Sequence, residues 1–285
     1  MAARVRVITD PACSWSWASE PVLRRLMVEF GDELSFTWVM GGLAREYERP
    51  SRAEGSPHAD LIVHWLDVAE RGRMPLDPRL WSEGPIASTY PACMAVKAAQ
   101  EQATDGGYAY LRALREGLMC FRRKLDTTEA LVEEARRAGL DVERFRVDLG
   151  SHAIVEAFGR DLEEARSVPD QAQAEGQSKP SGSIERMTFP SAIFAGTGGA
   201  RHGVFGYSPY EDYRAAAEAA GARAGGAPQP GVVEALRRYG RLATAEVEAI
   251  CDLATPPAAA ELWRLAAEWK VKPVRVLTGY LWELA

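Results

Sequence analysis

The most restrictive feature of this sequence is a strand–helix–strand pattern in its first forty residues. The segment "RVRVITD" alternates and places Val5 and Val7 on one face, which predicts a strand. Residues 15–30 then carry apolar side chains at steps of three and four, as an amphipathic helix does. "LSFTWVM" alternates again from Leu34 to Met40. This spacing predicts a βαβ unit, in which two parallel strands are joined by a right-handed crossover.

A cysteine stands at the junction between the first strand and the helix. The segment "DPACSWSWAS" places Cys13 there. A helix N-terminus offers unpaired N–H groups and about half a positive charge, and both stabilise a thiolate. We therefore predict a pKa lowered from ~8.5 into the range ~3.5–7.5 and a nucleophilic thiol. The alternative is a small core residue, because free cysteine is among the most buried residue types.

Two tryptophans follow the cysteine and alternate with small residues. Trp15 and Trp17 are interleaved with Ser14 and Ser16. Their indole rings could either shield the sulfur and form an apolar docking face or belong to the core. We favour a site-lining role for Trp15 over one for Trp17.

Composition limits the classes of function. The chain has 285 residues, and its formal net charge of −6 argues against a nucleic-acid binder. No run approaches the ~18 apolar residues of a membrane span, and no signal-peptide pattern is present, so we expect a cytoplasmic protein without a membrane partner. Cys93, Cys120 and Cys251 form no C-x-x-C pair, and the four histidines lack paired ligand spacing. We therefore expect free thiols and no metal site.

The rest of the chain divides by pattern into helical and mixed segments. Residues 57–166 read as a series of helices, and the polar stretch 167–185 reads as a mobile loop. "MTFPSAIFAG" predicts a strand with Pro190 at its entrance, followed by a short strand and a helix from Ser208–Pro209. Residues from Val232 onward read as helical again. A helix-turn-helix there is disfavoured, because acidic residues are interspersed with its arginines.

The segments "DPACSWSWASEPVLRRL" and "TFPSAIF" together resemble the thioredoxin fold of the DsbA family. The resemblance is greatest to the cytoplasmic FrnE-like branch, whose usual motif is D-P-x-C-x-W-C. "FTWVMGGL" and "EPVLRRL" also resemble protease-adaptor relatives of the SpxH type. The resemblance implies an α/β thioredoxin-like fold with a large α-helical insertion and a C-terminal helical extension. The expected domains are 1–56 with 184–222, the insertion 57–183, and the extension 230–285.

The resemblance also assigns roles to single residues. Cys13 matches the attacking cysteine, and Pro190 matches the cis-proline that faces it. Ser14, Trp15, Thr188 and Phe189 would form the substrate-binding group, with the Phe189 backbone along a bound peptide or thiol. Ser16 stands where the family has its second, resolving cysteine. Its hydroxyl could donate a hydrogen bond to the Cys13 thiolate, or it could simply cap the helix.

Without the second thiol, the sequence predicts a thiol–disulfide oxidoreductase of monothiol type. Cys13 would exchange with a protein disulfide or small-thiol substrate, and a low-molecular-weight thiol from solution would complete turnover, with no bound cofactor. One alternative is a redox-inactive adaptor that binds a client protein and delivers it to a protease. Another is a glutathione-dependent isomerase resembling the kappa-class transferases. In those proteins serine is common at the position of Cys13, so the cysteine counts against this alternative.

Overall fold

The computed structural model describes residues 2–47, 58–103, 105–196, 198–225 and 228–285. The helices are α1 Ser14–Ala18, α2 Glu20–Phe30, α3 Ala59–Gly72, α4 Leu80–Glu83, α5 Tyr90–Gln100, α6 Tyr108–Met119, α7 Thr128–Arg137, α8 Val142–Leu149, α9 His152–Arg166, α10 Asp170–Ala174, α11 Tyr210–Ala219, α12 Val232–Tyr239, α13 Thr244–Cys251 and α14 Thr255–Ala267. The strands are β1 Ala3–Thr9, β2 Leu34–Met40, β3 Ser178–Ser181, β4 Ile184–Met187, β5 Ser191–Ala195, β6 Arg201–Phe205, β7 Leu242–Ala243, β8 Val271–Val276 and β9 Gly279–Leu284.

A four-stranded mixed sheet lies at the centre of the part of the fold that precedes the C-terminal segment. Its order is β2-β1-β5-β6. β1 and β2 are parallel, as the βαβ pattern predicts, whereas β5 pairs antiparallel with both β1 and β6. Val5 and Val7 of β1 are buried against the core, and so is Trp38 of β2. This sheet places the end of β1 beside the start of β5, where the candidate site lies.

The first crossover consists of two helices rather than one. α1 has five residues, and the chain bends at Ser19 before α2 begins. Pro21 lies in the first turn of α2, where its missing N–H removes no helical hydrogen bond. The proline therefore lies at the start of a second helix and does not kink a single one.

Helices α3 to α9 lie between β2 and β5 in the chain, as the helical pattern predicts. α9 is fixed to the sheet by Asp161, whose Oδ2 accepts a hydrogen bond from the Met40 N–H at 2.8 Å. Lys97 of α5 pairs with the same carboxylate at 2.9 Å. The predicted domain boundary at residues 56 and 57 lies outside the described residues, and the domain limits remain predictions.

The prediction of a loop over residues 167–185 is wrong for most of that stretch. The structure contains α10 and an antiparallel hairpin of β3 and β4. The hairpin has a two-residue turn after Ser181, and Gly182 adopts a φ of 67° there. A positive φ at the first turn residue is typical of tight hairpin turns, and glycine adopts it without strain. These residues form a strand pair although their polar composition is typical of a loop.

The C-terminal segment contains helices, as predicted, and also a three-stranded antiparallel sheet that the sequence analysis did not predict. The sheet has the order β7-β9-β8 and packs with α12, α13 and α14. The segment has its own apolar core, which includes Leu236, Val247, Ile250, Leu262 and Trp282. α13 packs on α2 and so joins this segment to the rest of the fold.

A buried group of charges lies at that junction, and we refer to Glu20, Arg24, Arg112, Arg115 and Glu246 as the Glu20 cluster. Glu20 is fully buried and accepts hydrogen bonds from Arg115 and, at 3.3 Å, from Arg112. Arg112 also donates to both carboxylate oxygens of Glu246, at 2.6 and 2.8 Å. Burial alone would raise the pKa of Glu20, but Arg115 and Arg112 lower it to about 2. The cluster ties α2, α6 and α13 together through paired charges.

Candidate functional site

Cys13 lies where β1 ends and α1 begins, in a turn that Asp10 stabilises. The Asp10 Oδ1 accepts a hydrogen bond from the Ala12 N–H at 2.8 Å, and its backbone carbonyl accepts one from the Cys13 N–H at 3.2 Å. The Asp10 Oδ2 accepts further hydrogen bonds from the Leu43 N–H and the Thr89 hydroxyl. This carboxylate therefore acts as the turn residue that its position before Pro11 suggests.

Across the site, the Phe189–Pro190 peptide bond is cis, as the family resemblance implies. The Cys13 thiol donates a hydrogen bond to the Phe189 carbonyl oxygen, with 3.7 Å between Sγ and O. The Phe189 ring packs over Gly41, and a Cβ at that position would come within 2.0 Å of the ring. The end of β1 and the start of β5 therefore both lie next to the Cys13 sulfur.

The pKa of Cys13 is raised, which is opposite to the direction predicted from the sequence. Burial is the main cause, since Cys13 is 5% exposed, and the charge of Asp10 acts in the same direction. α1 is only five residues long, so few peptide dipoles add up at its N-terminus. The prediction of a lowered pKa is therefore wrong, and the thiol is largely protonated near neutral pH.

Ser16 lies in α1 and is buried, and Cys13 itself is the N-cap residue, so the capping alternative for Ser16 does not apply. Its side chain and backbone both favour the Cys13 thiolate and partly offset the effect of burial. The Ser16 hydroxyl has no hydrogen-bond partner within the described residues, so it is free to donate to the Cys13 sulfur.

The other cysteines occupy core positions. All four cysteines of the chain are free thiols and all are buried. Cys93 donates its S–H to Asp10 at 3.2 Å and Cys120 donates to the Pro75 carbonyl at 3.3 Å. Burial raises the pKa of both thiols. Within the ranges that the structure covers, no group of three or more metal-ligating side chains is present.

A cavity of about 420 Å³ lies in front of Cys13, and we refer to it as the Cys13 cavity. It is mainly apolar and is closed by α3, by the chain after β2 and by the β3–β4 hairpin. Its lining residues are Ala12, Cys13, Ser14, Trp15, Leu43, Ala44, Tyr47, Leu61, His64, Trp65, Trp81, Lys179, Arg186, Thr188 and Phe189. Its size lies within the range of ordinary ligand sites, ~300–1,000 Å³.

The predicted substrate-binding residues all reach this cavity, and Trp17 does not. Ser14, Trp15, Thr188 and Phe189 line it. Trp17 is fully buried and donates its indole N–H to the Pro75 carbonyl at 2.9 Å, so it belongs to the core.

His64 and Tyr207 contact the residues that follow Cys13. The Ser14 hydroxyl lies 3.3 Å from His64 Nε2, and the Trp15 ring lies 5.0 Å from that of Tyr207. Burial lowers the pKa of His64, against a smaller opposing effect of Asp67. His64 is therefore a mainly neutral hydrogen-bonding group at the cavity wall at neutral pH.

Sequence reasoning missed several cavity residues because they come from segments that local pattern treats as core or loop. Trp65 and Trp81 lie on α3 and α4, and Tyr47 lies after β2. Lys179 and Arg186 lie on the hairpin that the sequence analysis read as a loop. The Gly-Ser pair at 182–183 was the signal that could have revealed the hairpin.

Comparison with known families identifies the class of protein. A family model described as thioredoxin matches residues 7–169, more than half of the chain. The chain belongs to the thioredoxin family. The match runs from the end of β1 through the Cys13 turn to the end of α9.

Among proteins of known name, the chain is similar over nearly its whole length to a ClpXP adapter. The ClpXP adapter protein SpxH of Halalkalibacterium halodurans is 28% identical over 278 residues, which cover 96% of this chain and 86% of that protein.

Solved structures support the DsbA-like form of the fold. A candidate protein disulfide isomerase from Nitrosomonas europaea superposes with a TM-score of 0.60 at 22% identity, over 77% of this chain and 97% of that one. A probable DsbA oxidoreductase from Streptomyces coelicolor gives a TM-score of 0.54 at 20% identity, over 78% and 91% of the two chains. At these identities the likeness concerns the fold.

Across the residues described, no helix has the length and apolar character that a bilayer crossing requires.

Proposed function

We propose that this chain is a thioredoxin-fold adapter of the ClpXP type, which binds a client protein in the Cys13 cavity without forming a covalent bond to it. It would work in the cytoplasm, as the sequence analysis expects. This function is the redox-inactive adaptor that the sequence offers as an alternative to monothiol exchange.

The observation that carries the proposal is a buried, protonated thiol facing an apolar cavity. A raised pKa leaves little thiolate at neutral pH, and the thiolate is the nucleophile in disulfide exchange. Ser16 cannot release a mixed disulfide, because its hydroxyl is not a thiol. The cavity wall of Leu43, Leu61 and Trp65 is suited to bind an apolar segment. The similarity to a ClpXP adapter over 96% of the chain supports the same function.

Protein half-lives in cells test this proposal. Proteins whose half-lives lengthen when the chain is deleted are its clients, and wild-type chain should restore their turnover. Cys13→Ala should restore it equally well, because the proposal gives the sulfur no covalent step. The proposal fails if no half-life depends on the chain, or if Cys13→Ala fails to restore turnover.

A matched pair of variants on α3 tests whether the cavity is the binding site. Leu61 lines the Cys13 cavity, whereas Val63 is 66% exposed and points to solvent on the same helix. Leu61→Trp should fill the cavity and abolish client turnover, and Val63→Trp should leave turnover unchanged. Equal turnover with both variants would place client binding elsewhere.

Monothiol exchange is the second candidate, and the position of Cys13 beside the cis Phe189–Pro190 bond favours it. In this reaction the Cys13 thiolate attacks a disulfide, one sulfur leaves as a thiolate, and a small thiol then releases the mixed disulfide. Because no second thiol lies at position 16, the mixed disulfide should persist in cells. Mass spectrometry of Cys13 would find a protein or a small thiol attached if this reaction operates, and an unmodified thiol if it does not.

A further inference from the structure

The lining of the Cys13 cavity is mainly apolar, but it also contains two basic side chains. Lys179 of β3 and Arg186 of β4 both line it and stand directly opposite each other in the hairpin. Opposed residues on one face have Cβ atoms ~4.5–5.5 Å apart, and two like charges in such a pair are destabilising. An anion between the two side chains would turn this repulsion into attraction.

Arg186 lacks a counter-ion among the described residues. It is 8% exposed, and no carboxylate of the described residues lies within 4.0 Å of its guanidinium. Its Nη1 donates to the Met187 carbonyl at 2.9 Å, and its Nε has no partner in the described chain. The guanidinium stacks on the Phe189 ring, 4.2 Å from the centroid. A buried cation with an unused donor is costly unless a ligand completes it.

Asp10 is the carboxylate that acts on Arg186 from within the fold, but its oxygens are already engaged. Oδ1 accepts the Ala12 N–H, and Oδ2 accepts the Leu43 N–H, the Thr89 hydroxyl and the Cys93 thiol. Burial is the main effect on Arg186 and lowers its pKa, whereas the negative charges of a Cys13 thiolate and of Asp10 raise it through space without occupying its donors.

The apolar lining of the cavity consists of the partly exposed Trp15, Leu43 and Leu61, with the aromatic pair Trp65 and Trp81 buried behind them. Trp65 and Trp81 are 2% and 1% exposed, with ring centroids 5.5 Å apart. The Trp81 indole N–H is buried, and within the described residues it has no hydrogen-bond partner.

We propose that the Cys13 cavity recognises an acidic segment of the client: a carboxylate side chain between Arg186 and Lys179, next to a bulky apolar side chain on the partly exposed Trp15, Leu43 and Leu61. This inference rests on the proposed adapter function and names the chemistry of the segment that the adapter binds. Charge complementarity selects a carboxylate, and the apolar side chains of Trp15, Leu43 and Leu61 select an apolar neighbour. Lys179 is exposed at the mouth, where a longer chain would leave the cavity.

Fluorescence anisotropy with two labelled peptides tests this inference on the full-length protein. The probes are fluorescein-labelled, C-terminally amidated peptides, Gly-Leu-Phe-Glu-Gly-Gly and the same sequence with Gln in place of Glu. Charge-assisted hydrogen bonds are worth ~1.5–3 kcal/mol, so the Glu peptide should bind about 10- to 100-fold more tightly. Arg186→Gln should reduce this preference to about twofold or less, whereas Arg186→Lys should retain a large part of it, because it keeps the charge.

Controls separate the local charge from general effects. Arg201 is an exposed arginine on β6 that does not line the Cys13 cavity, so Arg201→Gln should keep the full preference for Glu. Circular dichroism should show that each variant is folded. Equal affinity for the two peptides, a Glu preference that survives Arg186→Gln, or no binding of either peptide would each overturn the inference.

The outcomes also distinguish this inference from the adapter function itself. Equal binding of both peptides leaves the cavity as a client site and removes only its acidic specificity. Loss of client dependence in the half-life experiment removes the adapter function whatever the peptides do. Free N-acetylphenylalanine, a small apolar acid, should displace the Glu peptide only at far higher concentration. Displacement at equal concentration would assign the site to a small metabolite and overturn the assignment to a client segment.

Discussion

The Glu20 cluster and the Cys13 cavity differ in whether their buried charged side chains have partners of opposite charge. In the cluster, Glu20 and Glu246 are each held by arginines. In the cavity, Arg186 is almost as deeply buried, but it has no carboxylate within salt-bridge distance among the residues described. Paired charges hold three parts of the fold together, whereas unpaired donors favour a ligand. The comparison indicates which buried polar groups serve structure and which serve binding.

Glu20→Gln should have the largest effect on stability. The change leaves Arg112 and Arg115 buried beside a neutral group, and removing one partner of a buried ion pair costs ~3–5 kcal/mol. Urea unfolding monitored by circular dichroism should show this loss in the free energy of unfolding. Glu268 pairs with Arg264 and Lys270 at the surface, so Glu268→Gln should leave the urea midpoint unchanged. Equal midpoints for Glu20→Gln and wild type would contradict the structural role of the cluster.

The same carboxylate predicts a loss of stability in acid. The pKa of Glu20 is about 2 in the folded protein and lies near ~4.3 in an unfolded chain, so the unfolded state takes up the proton first as the pH falls. The stabilisation is complete above the unfolded pKa and is lost as the pH falls toward 2. Its size is about 3 kcal/mol. Urea midpoints measured from pH 6 to pH 2.5 should fall for wild type, and the slope should be shallower for Glu20→Gln; parallel slopes would be inconsistent with this assignment.

Arg186→Gln should have a much smaller effect on stability than Arg115→Gln. The first change removes a charge without a partner carboxylate in the described chain, and a shift within about 1 kcal/mol is expected. The second removes a fully buried partner of Glu20 and should cost ~3 kcal/mol or more. The two urea midpoints, measured side by side, compare the two regions directly. A loss for Arg186→Gln as large as that for Arg115→Gln would mean that Arg186 is structural and would remove the contrast.

Local sequence patterns predicted the elements that carry the site, because those elements are specified locally. The alternation in β1 and β2 and the helical spacing of α2 fix which faces are buried, and the structure has these elements. The cis bond at Pro190 came from the family resemblance and not from local pattern. The helix that begins after Pro209 followed from the position of that proline.

Properties that depend on distant parts of the chain could not be predicted in this way. The pKa of Cys13 depends on burial by Phe189 and the cavity wall, which no local window contains. Arg186 reaches the cavity only because β3 and β4 pair, and their polar composition resembles a loop. The C-terminal sheet likewise forms from short strands separated by two helices. Tertiary contacts decided these features, whereas local propensity decided the others.

The smallest expected effect concerns the reactivity of the Cys13 thiol. Because burial raises its pKa, alkylation of Cys13 by iodoacetamide should reach half its maximal rate above the ~8.5 of a free cysteine. Ser16→Ala removes a group that favours the thiolate, so it should raise the pKa of Cys13 further and slow alkylation at pH 8. Mass spectrometry of the peptide that contains Cys13 measures the rate, and the same peptide in urea gives the unperturbed reference. A midpoint below that of the unfolded reference would restore the nucleophile of the sequence prediction and weaken the contrast between a binding cavity and a catalytic one.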